Sequence, residues 1–225
     1  MKLTRLIRLV VKRMPFAKHL YKKFHIEDRI RFYKERKQME VFAKHGDSVI
    51  AKIHEVLTMS GHTFFVDAGT LIGIYRDGKL LKRDMDVDMG VKINSQEDIL
   101  KIRELFKSNG FKLIIIFETP SNGVIQDAFD YNGIRVDMSY FVTNQNNDIC
   151  YILYDDNKIA KMTFSKIENT STFKYNNQTV NIPVDSDLYL EERYGKTWRK
   201  PDPYFKYWEA PCVTTIEGRG ICTFV

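Results

Sequence analysis

The spacing of hydrophobic residues is helical over the first third of the chain. Residues 26–59 predict one or two helices, with Gly46–Asp47 as the break. The β-branched and aromatic run Thr63–Val66 predicts a short strand. Asp67 follows it and offers a side-chain oxygen to cap a helix predicted over residues 69–77. The early part of the chain is therefore predicted to be mainly helical.

After one further helix the pattern becomes that of strands. That helix is predicted to begin at Ser95, which forms a capping box with Asp98, and to end at Gly110. Asn132-Gly133 is a strong hairpin signal, and a last helix is predicted over Asp185–Gly195. The remaining runs predict strands at residues 84–92, 111–117, 125–131, 134–142, 149–155, 158–164 and 173–182. The fold class is α+β, with helices first and then a mostly antiparallel sheet.

The N-terminal 24 residues differ from the rest in charge and pattern. They contain eight Lys or Arg and no acidic residue, whereas the remainder of the chain is close to neutral. One helical face would carry the apolar residues Leu3, Leu6, Ile7, Val10, Val11 and Met14. Such a basic amphipathic helix can lie on an anionic membrane surface or pack on the protein body. We therefore predict a boundary between this basic amphipathic segment, 1–24, and a single domain, 25–225.

Composition narrows the class of protein. The chain has 225 residues, 44% of them hydrophobic, which is enough to bury a sizeable core. No run of 18 apolar residues occurs, so no transmembrane helix is predicted. Three cysteines without C-x-x-C spacing favour a protein located in the reducing cytosol. Its basic segment 1–24 would place it at most peripherally on the inner face of a membrane. The near-neutral body and the lack of a recognised binding motif argue against a nucleic-acid partner.

The segment D-M-D-V-D carries the first candidate chemistry. On a strand, Asp84, Asp86 and Asp88 would share one face, where like charges repel unless a cation is present. Carboxylate oxygens suit Mg²⁺ or Mn²⁺. A calcium loop is excluded because its required Gly and Glu positions hold Met89 and Ser95. The alternative is the solvated face of an edge strand.

Two other segments could complete such a site. Gly69 and Thr70 stand at the start of a helix, where unpaired N–H groups and the helix dipole favour a phosphate. Asp137 interrupts an apolar strand, and it would be a third metal-binding carboxylate if that strand neighbours residues 84–92. Alternatively, Asp137 pairs with Arg135 or is exposed at an edge. Together these features are typical of a nucleotidyltransferase-like fold.

Four segments resemble a narrower family, that of LicD and the fukutin-related proteins. The family motif runs approximately D-G-G-T-L-L-G-x-x-R-x-G and then D-D-D-I-D-I-G. The matching segments here are D-A-G-T-L-I-G-I-Y-R-D-G (67–78), D-M-D-V-D-M-G (84–90), R-V-D-M (135–138) and R-Y-G-K-T-W-R-K-P (193–201). Ala68 replaces a usual Gly, and Met85 replaces a usual acidic residue, on the face opposite the cluster.

This resemblance implies an activity. Such proteins transfer a phosphorylated small alcohol, such as phosphocholine, ribitol phosphate or glycerol phosphate, from a CDP-activated donor to a glycan hydroxyl, with release of CMP. The implied acceptors are lipopolysaccharide, capsule or teichoic-type glycans. A sugar transferase with its own D-x-D, a nucleotidyltransferase and a non-catalytic partner in a glycan assembly complex are the alternatives. A sugar transferase normally has a βαβ nucleotide-binding region before that motif, where this chain is mainly helical.

The resemblance also implies residue roles. Asp86 and Asp88 would hold Mg²⁺ (or Mn²⁺) against the donor diphosphate, and Asp137 would join them or act as the base for the acceptor. Asp84 would be a lesser ligand. The remaining contacts to phosphate would come from four residues, Gly69, Thr70, Arg76 and Lys82.

Overall fold

The structure, a computed structural model, describes residues 26–225. The predicted basic helix of residues 1–24 lies outside this range, and the proposed domain division stays a prediction. Residues 41–225 form a compact unit, to which all the elements after the first helix belong. The α-helices are α1 (Ile26–Ser60), α2 (Ala68–Asp77), α3 (Gln96–Ser108) and α4 (Ser186–Tyr194).

Most of the described strands belong to one sheet. The strands are β1 (Phe64–Val66), β2 (Asp86–Lys92), β3 (Lys112–Thr119), β4 (Gly123–Tyr131), β5 (Ile134–Asn144), β6 (Asn147–Tyr154), β7 (Lys158–Ser165), β8 (Thr170–Tyr175), β9 (Gln178–Pro183), β10 (Val213–Arg219) and β11 (Ile221–Phe224). Nine of these described strands form the main sheet, and β8 and β9 form a separate hairpin. The α+β class is confirmed, because every main-sheet pairing is antiparallel except that of β2 with β5.

Strand β5 pairs with three other strands of the main sheet. Its first part lies between β4, which is antiparallel to it, and β2, which is parallel to it. Its last residues, Val142–Asn144, pair instead with β6. A parallel neighbour needs a crossover connection, and here the chain between β2 and β5 passes through α3 and the β3–β4 hairpin. This arrangement sets the polar residues of β2 beside those of β5.

The last two strands pair with distant parts of the sheet. Strand β10 pairs with β7, whereas the next strand, β11, pairs with β3. Gly220 joins them at a crowded point, where a Cβ would lie 2.6 Å from the carbonyl oxygen of Glu118 and 2.4 Å from Cδ2 of Leu153. Consecutive strands therefore link the two ends of the strand order β7–β6–β5–β4–β3.

The core lies between the helices and the sheet. Phe42, Ile53 and Leu57 of α1 are buried, as are Leu71 and Ile74 of α2. Strands β1, β2 and β5 contribute their own buried apolar residues to the same cluster, among them Phe65, Val87, Met89, Met138 and Phe141. Because β2 and β5 bury one face here, their other face is left for polar residues.

Several local predictions are confirmed. Asp67 caps α2, its Oδ1 accepting from the N–H of Ala68 at 2.6 Å. The capping box of Ser95 and Asp98 opens α3. Asn132 and Gly133 have φ angles of 54° and 81°, as a tight hairpin turn between β4 and β5 requires.

Helix α1 is a single helix, the first of the two alternatives left open for residues 26–59, and it passes through Gly46 without a break. A Cβ at Gly46 would lie 2.7 Å from Cδ1 of Leu80, so this glycine allows a close approach of Leu80 to the helix.

Other local predictions are wrong. The strand predicted at 173–182 is a hairpin of β8 and β9, with Asn176 at a φ of 41° in its turn. Strand β2 begins at Asp86, so Asp84 lies in the preceding loop.

No helix among residues 26–225 combines the length and apolar character needed to span a membrane.

Candidate active site

Three of the predicted carboxylates come from the adjacent parallel strands β2 and β5. In their register, Asp88 is the partner of Asp137 and Asp86 is the partner of Arg135. Side chains two residues apart on a strand share a face, so these residues line one cavity of about 410 Å³. We call it the carboxylate cavity; residues of β3, β4, β6 and β7 also line it. The condition set in the sequence analysis, that the strand of Asp137 neighbours the D-x-D strand, is therefore met.

The N-terminus of α2 is bound directly to Asp88. The N–H of Gly69 donates to Oδ2 of Asp88 at 3.0 Å, and the N–H of Asp88 donates to Oγ1 of Thr70 at 2.9 Å. The N–H of Asp67 also donates to the carbonyl oxygen of Asp88, at 3.0 Å. Thr70 is fully buried, so holding Asp88 takes the place of the direct phosphate contact that the sequence suggested for this hydroxyl.

Gly69 is required by a close approach of two carboxylates. A Cβ at this position would lie 3.0 Å from Oδ2 of Asp84 and 3.2 Å from Oδ2 of Asp88. The Oδ2 of Asp84 is buried and has no hydrogen-bond partner among the described residues. A buried carboxylate oxygen without a hydrogen-bond partner is unfavourable unless a bound ligand or ion supplies the missing interaction. Asp84 therefore joins the cluster from its loop, although it lies outside β2.

Burial raises the pKa of each carboxylate in the cluster. The pKa of Asp84 rises to about 6 through burial and then through the charge of Asp86. The pKa of Asp88 is well above its ordinary value, because this side chain is buried and faces Asp86 and Asp137. Burial raises the pKa of Asp86 as well, against the opposing charge of Arg135. A cation among these groups would relieve both the desolvation and the repulsion.

Asp137 also forms an ion pair with Arg135, the alternative that the sequence left open. The Nε of Arg135 donates to Oδ1 of Asp137 at 2.6 Å. Burial raises the pKa of Asp137 to about 6, although the guanidinium of Arg135 opposes this rise. The two interpretations of Asp137 are therefore compatible: it pairs with Arg135 and still lies beside Asp88.

The oxygen donors have the right chemistry for a hard divalent cation, but they do not surround one. Within residues 26–225, no group of three or more His, Cys, Asp or Glu side chains is placed so that it could hold a metal ion. Magnesium usually binds one or two protein carboxylates together with water and substrate phosphates, so a complete protein cage is not needed. The predicted Mg²⁺ or Mn²⁺ site stays a prediction.

A buried network in the wall of the carboxylate cavity was missed by the sequence analysis, which identified Asp67 only as a helix cap. The hydroxyl of Tyr189 donates to Oδ1 of Asp67 at 2.5 Å, and Nη1 of Arg193 donates to the same oxygen at 3.0 Å. Tyr189 and Arg193 are four residues apart on α4, so they share a face. Besides that spacing, the available signal was that Asp67 and Arg193 each begin a segment that resembles the family motif. The network fixes α4 to the start of α2.

The predicted cations lie around a second cavity of about 640 Å³, which we call the basic cavity. Arg76 lines it, but its guanidinium already donates to Asp77, at 2.7 and 2.9 Å, and to the carbonyl oxygen of Trp198 at 3.2 Å. Lys82 is exposed and lines the same cavity, as does Gly69. The structure therefore places Arg76, Lys82 and Gly69 together, on the side of α2 where Asp84 lies.

Comparison with known proteins identifies the family to which the chain is similar. Residues 61–187 match the family described as "LicD/FKTN/FKRP, nucleotidyltransferase domain". The chain is 24% identical over 192 residues to the mouse (Mus musculus) ribitol-5-phosphate transferase FKTN and 23% identical over 188 residues to the human (Homo sapiens) protein. These matches cover 80% of this chain but 38% of each relative, so the chain spans under two fifths of their length. A solved structure of ANT(2″)-Ia with adenylyl-2″-tobramycin overlaps partially, with a TM-score of 0.40 and 11% identity over 65% of this chain and 75% of that one.

Proposed function

The chain belongs to the LicD/FKTN/FKRP family, and we propose that it transfers a phosphorylated small alcohol from a CDP-activated donor to a hydroxyl of a cell-surface glycan. The observation that carries this proposal is the register of β2 and β5, which sets Asp88 beside Asp137 in a cavity that also contains Asp86. The names of the mouse and human relatives, ribitol-5-phosphate transferases, support this reaction class.

The ligands of Mg²⁺ or Mn²⁺ would come from Asp86, Asp88 and Asp137, with Asp84 as a lesser ligand. One or two of these carboxylates would bind the ion together with water and the donor phosphates, because no three of them within residues 26–225 are placed to hold it alone. When bound, the ion supplies positive charge against the donor diphosphate and the departing CMP. The unpartnered Oδ2 of Asp84 and the raised pKa values of the cluster support a cation at this position. Gly69 keeps the space beside these carboxylates clear of a side chain.

The transfer step requires a base and a held phosphate. The acceptor oxygen forms a bond to phosphorus while the bond between that phosphorus and the CMP oxygen breaks, and the hydroxyl proton leaves with a base. Asp137 is the residue we assign as this base if it does not bind the metal, and Arg135 holds its carboxylate in place at 2.6 Å. Lys82 and Arg76 place positive charge near the diphosphate.

The acceptor and the cellular location follow from the same proposal. Glycans of the lipopolysaccharide, capsule or teichoic type carry hydroxyls at which such a transfer would occur. A chain acting on them from the cytoplasm would gain from peripheral membrane contact through the basic residues 1–24.

The deciding experiment is chromatography of nucleotide products. The protein is incubated with Mg²⁺, a panel of CDP-alcohols, nucleotide sugars and CTP, and a mixture of glycan acceptors. Acceptor-dependent release of CMP is the expected result, and it would identify the donor alcohol. A nucleoside diphosphate would instead indicate a sugar transferase, and pyrophosphate from CTP would indicate a nucleotidyltransferase; either result would refute the proposal.

A further inference from the structure

The two cavities adjoin each other across a pair of aromatic rings. Tyr194 and Phe205 each line both cavities, and their ring centroids are 4.8 Å apart. The N-terminus of α2 also borders both cavities, because Ala68 lines the carboxylate cavity and Gly69 lines the basic cavity. At about 410 and 640 Å³, each cavity is large enough for a small molecule of its own.

The basic cavity has the chemistry of a nucleotide site. Arg76 and Asp77 form an ion pair in the lining of this cavity. The other charged residues of the lining are three cations, Lys82, Arg83 and Lys200, and two carboxylates, Asp84 and Asp202. All three of these cations are exposed, so they are accessible to a ligand. Flexible cations around an apolar floor suit a diphosphate attached to a flat base, since phosphate binds lysine and arginine and the base needs an apolar surface. The apolar and aromatic part of the lining consists of Ile72, Leu81, Trp198, Pro201 and Pro203, together with the two rings shared with the carboxylate cavity, Tyr194 and Phe205.

The carboxylate cavity has the opposite character. Its lining contains four aspartates, Asp67, Asp86, Asp88 and Asp137, against the two arginines Arg135 and Arg193. Both arginines are already paired, Arg135 with Asp137 and Arg193 with Asp67, so a diphosphate lying wholly within this cavity would have only the proposed Mg²⁺ to offset its charge. Neutral hydrogen-bonding groups are also present in Gln126 and Ser139, and Tyr207, 43% exposed, adds an aromatic surface. Amide, hydroxyl and aromatic groups together suit a neutral polyhydroxy compound such as a sugar.

The cavities adjoin where the chemistry is expected. Asp84 lines the basic cavity and Asp88 lines the carboxylate cavity, yet one Oδ2 from each would lie within 3.2 Å of a Cβ at Gly69. A phosphorus atom held there could be approached by an acceptor hydroxyl from one side while the nucleotide departs on the other. Phosphoryl transfer requires this approximately in-line arrangement.

We propose that the two cavities divide the substrates: the basic cavity binds the cytidine nucleotide of the donor, and the carboxylate cavity binds the hydroxyl-bearing acceptor. This inference rests on the proposed function, because it assumes a CDP-activated donor. It adds Arg83 and Lys200 to Lys82 as determinants of donor affinity. Tyr207 and Gln126 become determinants of acceptor affinity.

Calorimetric titration with CMP in the presence of Mg²⁺ tests the division. The double variant Lys82→Ala with Lys200→Ala should weaken CMP binding by about tenfold or more, because two cationic contacts are removed. Tyr207→Ala should leave the CMP dissociation constant within about twofold. The charge-matched control is Lys107→Ala with Lys112→Ala, two exposed lysines that line neither cavity. With the acceptor found in the product assay, Tyr207→Ala should raise the KM for the acceptor and leave the KM for the donor unchanged.

The outcomes separate this inference from the proposed function. If the parent protein binds CMP and the double lysine variant binds it equally well, the assignment of the basic cavity is wrong while the proposed function stands. If Tyr207→Ala weakens CMP binding or raises the donor KM, the two cavities have been assigned in reverse. If the parent protein binds no CMP at all in the presence of Mg²⁺, both proposals fail.

Discussion

Buried carboxylates occur in two kinds of surroundings in this protein. Asp127, on β4, is fully buried and accepts two hydrogen bonds from Arg103, each at 2.7 Å, and one from the hydroxyl of Tyr140 at 2.8 Å. Asp148, on β6, is also fully buried and accepts from Lys92 at 2.8 Å, from Thr143 at 2.6 Å and from a backbone N–H. Both carboxylates are paired with a cation and further donors.

The carboxylate cluster of the candidate site is different. Asp84 keeps a buried oxygen that has no hydrogen-bond partner within residues 26–225. Asp88 faces the negative charges of Asp86 and Asp137. Burying a charge is tolerable when hydrogen bonds and an opposite charge offset the loss of water. The comparison teaches that the paired aspartates stabilise the fold, whereas the cluster by itself lowers stability, a loss that the cation we propose would offset.

The largest expected effect is on turnover, at Asp88. We predict that Asp88→Asn lowers kcat by about 10²–10³-fold or more, because it removes a charge that stabilises the transition state through the bound cation. The melting temperature should stay the same or rise, since the change relieves repulsion within the cluster. Kinetics of CMP release and thermal unfolding check the two parts, with the exposed Asp156→Asn as the control. Full activity in Asp88→Asn would show that the cluster does not act in catalysis.

The opposite result is expected at Asp127. Asp127→Ala should lower the free energy of unfolding by about 3–5 kcal/mol, because it leaves the guanidinium of Arg103 half-buried without its partner. Urea unfolding followed by circular dichroism measures this loss. Asp156→Ala breaks the exposed pair with Arg219 and should change stability by about 1 kcal/mol or less. Equal losses in the two variants would remove the distinction between buried and exposed pairs.

A smaller effect is expected where the cluster crowds the backbone. Gly69→Ala should lower kcat/KM by about 10²-fold, because the added methyl group displaces the oxygens of Asp84 and Asp88. Ala68→Gly is the neighbouring control: Ala68 has a φ of 41°, so a glycine there should raise the free energy of unfolding by about 1 kcal/mol and preserve activity. An active Gly69→Ala variant would mean that the cluster tolerates displacement.

The smallest expected effect is at Asp98, a structural carboxylate with backbone partners. The N–H groups of Asn94 and Ser95 donate to its Oδ2 and lower its pKa, with the N–H of Asn94 as the main cause. Its stabilising contribution is therefore present above the ordinary pKa of 3.8 and is lost as the pH falls through the lowered value. Asp98→Ala should lower the unfolding free energy by about 0.5–2 kcal/mol at neutral pH.

The pH dependence provides the check on Asp98. Urea titrations of the parent and of Asp98→Ala should differ at neutral pH and converge in strong acid, where the parent carboxyl is protonated. Glu97→Ala, an exposed residue in the same helical turn, should have the smaller effect of about 0.3–1 kcal/mol. A difference between parent and Asp98→Ala that does not change with pH would show that the charge of Asp98 is not what stabilises α3.

The sequence predicted the parts of the site that depend on local pattern. Alternating acids in D-M-D-V-D and a lone acid at Asp137 can be interpreted without knowing the fold, because side chains alternate across a strand. The contact of Arg193 with Asp67 could not be predicted in this way, since it joins residues 126 positions apart. Strand β10 was also missed, because its residues are mostly exposed and lack a regular alternation of buried and exposed positions.

The pairing of β10 and β11 has a consequence for how the protein is made. Both strands come after every other strand in chain order, and β11 must reach back to β3, past five intervening strands of the same sheet and the β8–β9 hairpin. Such long-range closure is slow compared with the formation of local hairpins. A nascent chain would therefore have β3 to β7 in place while two of their edges were still open. During synthesis, the period before β10 and β11 emerge is when unpaired strand edges are most exposed to aggregation and to chaperones.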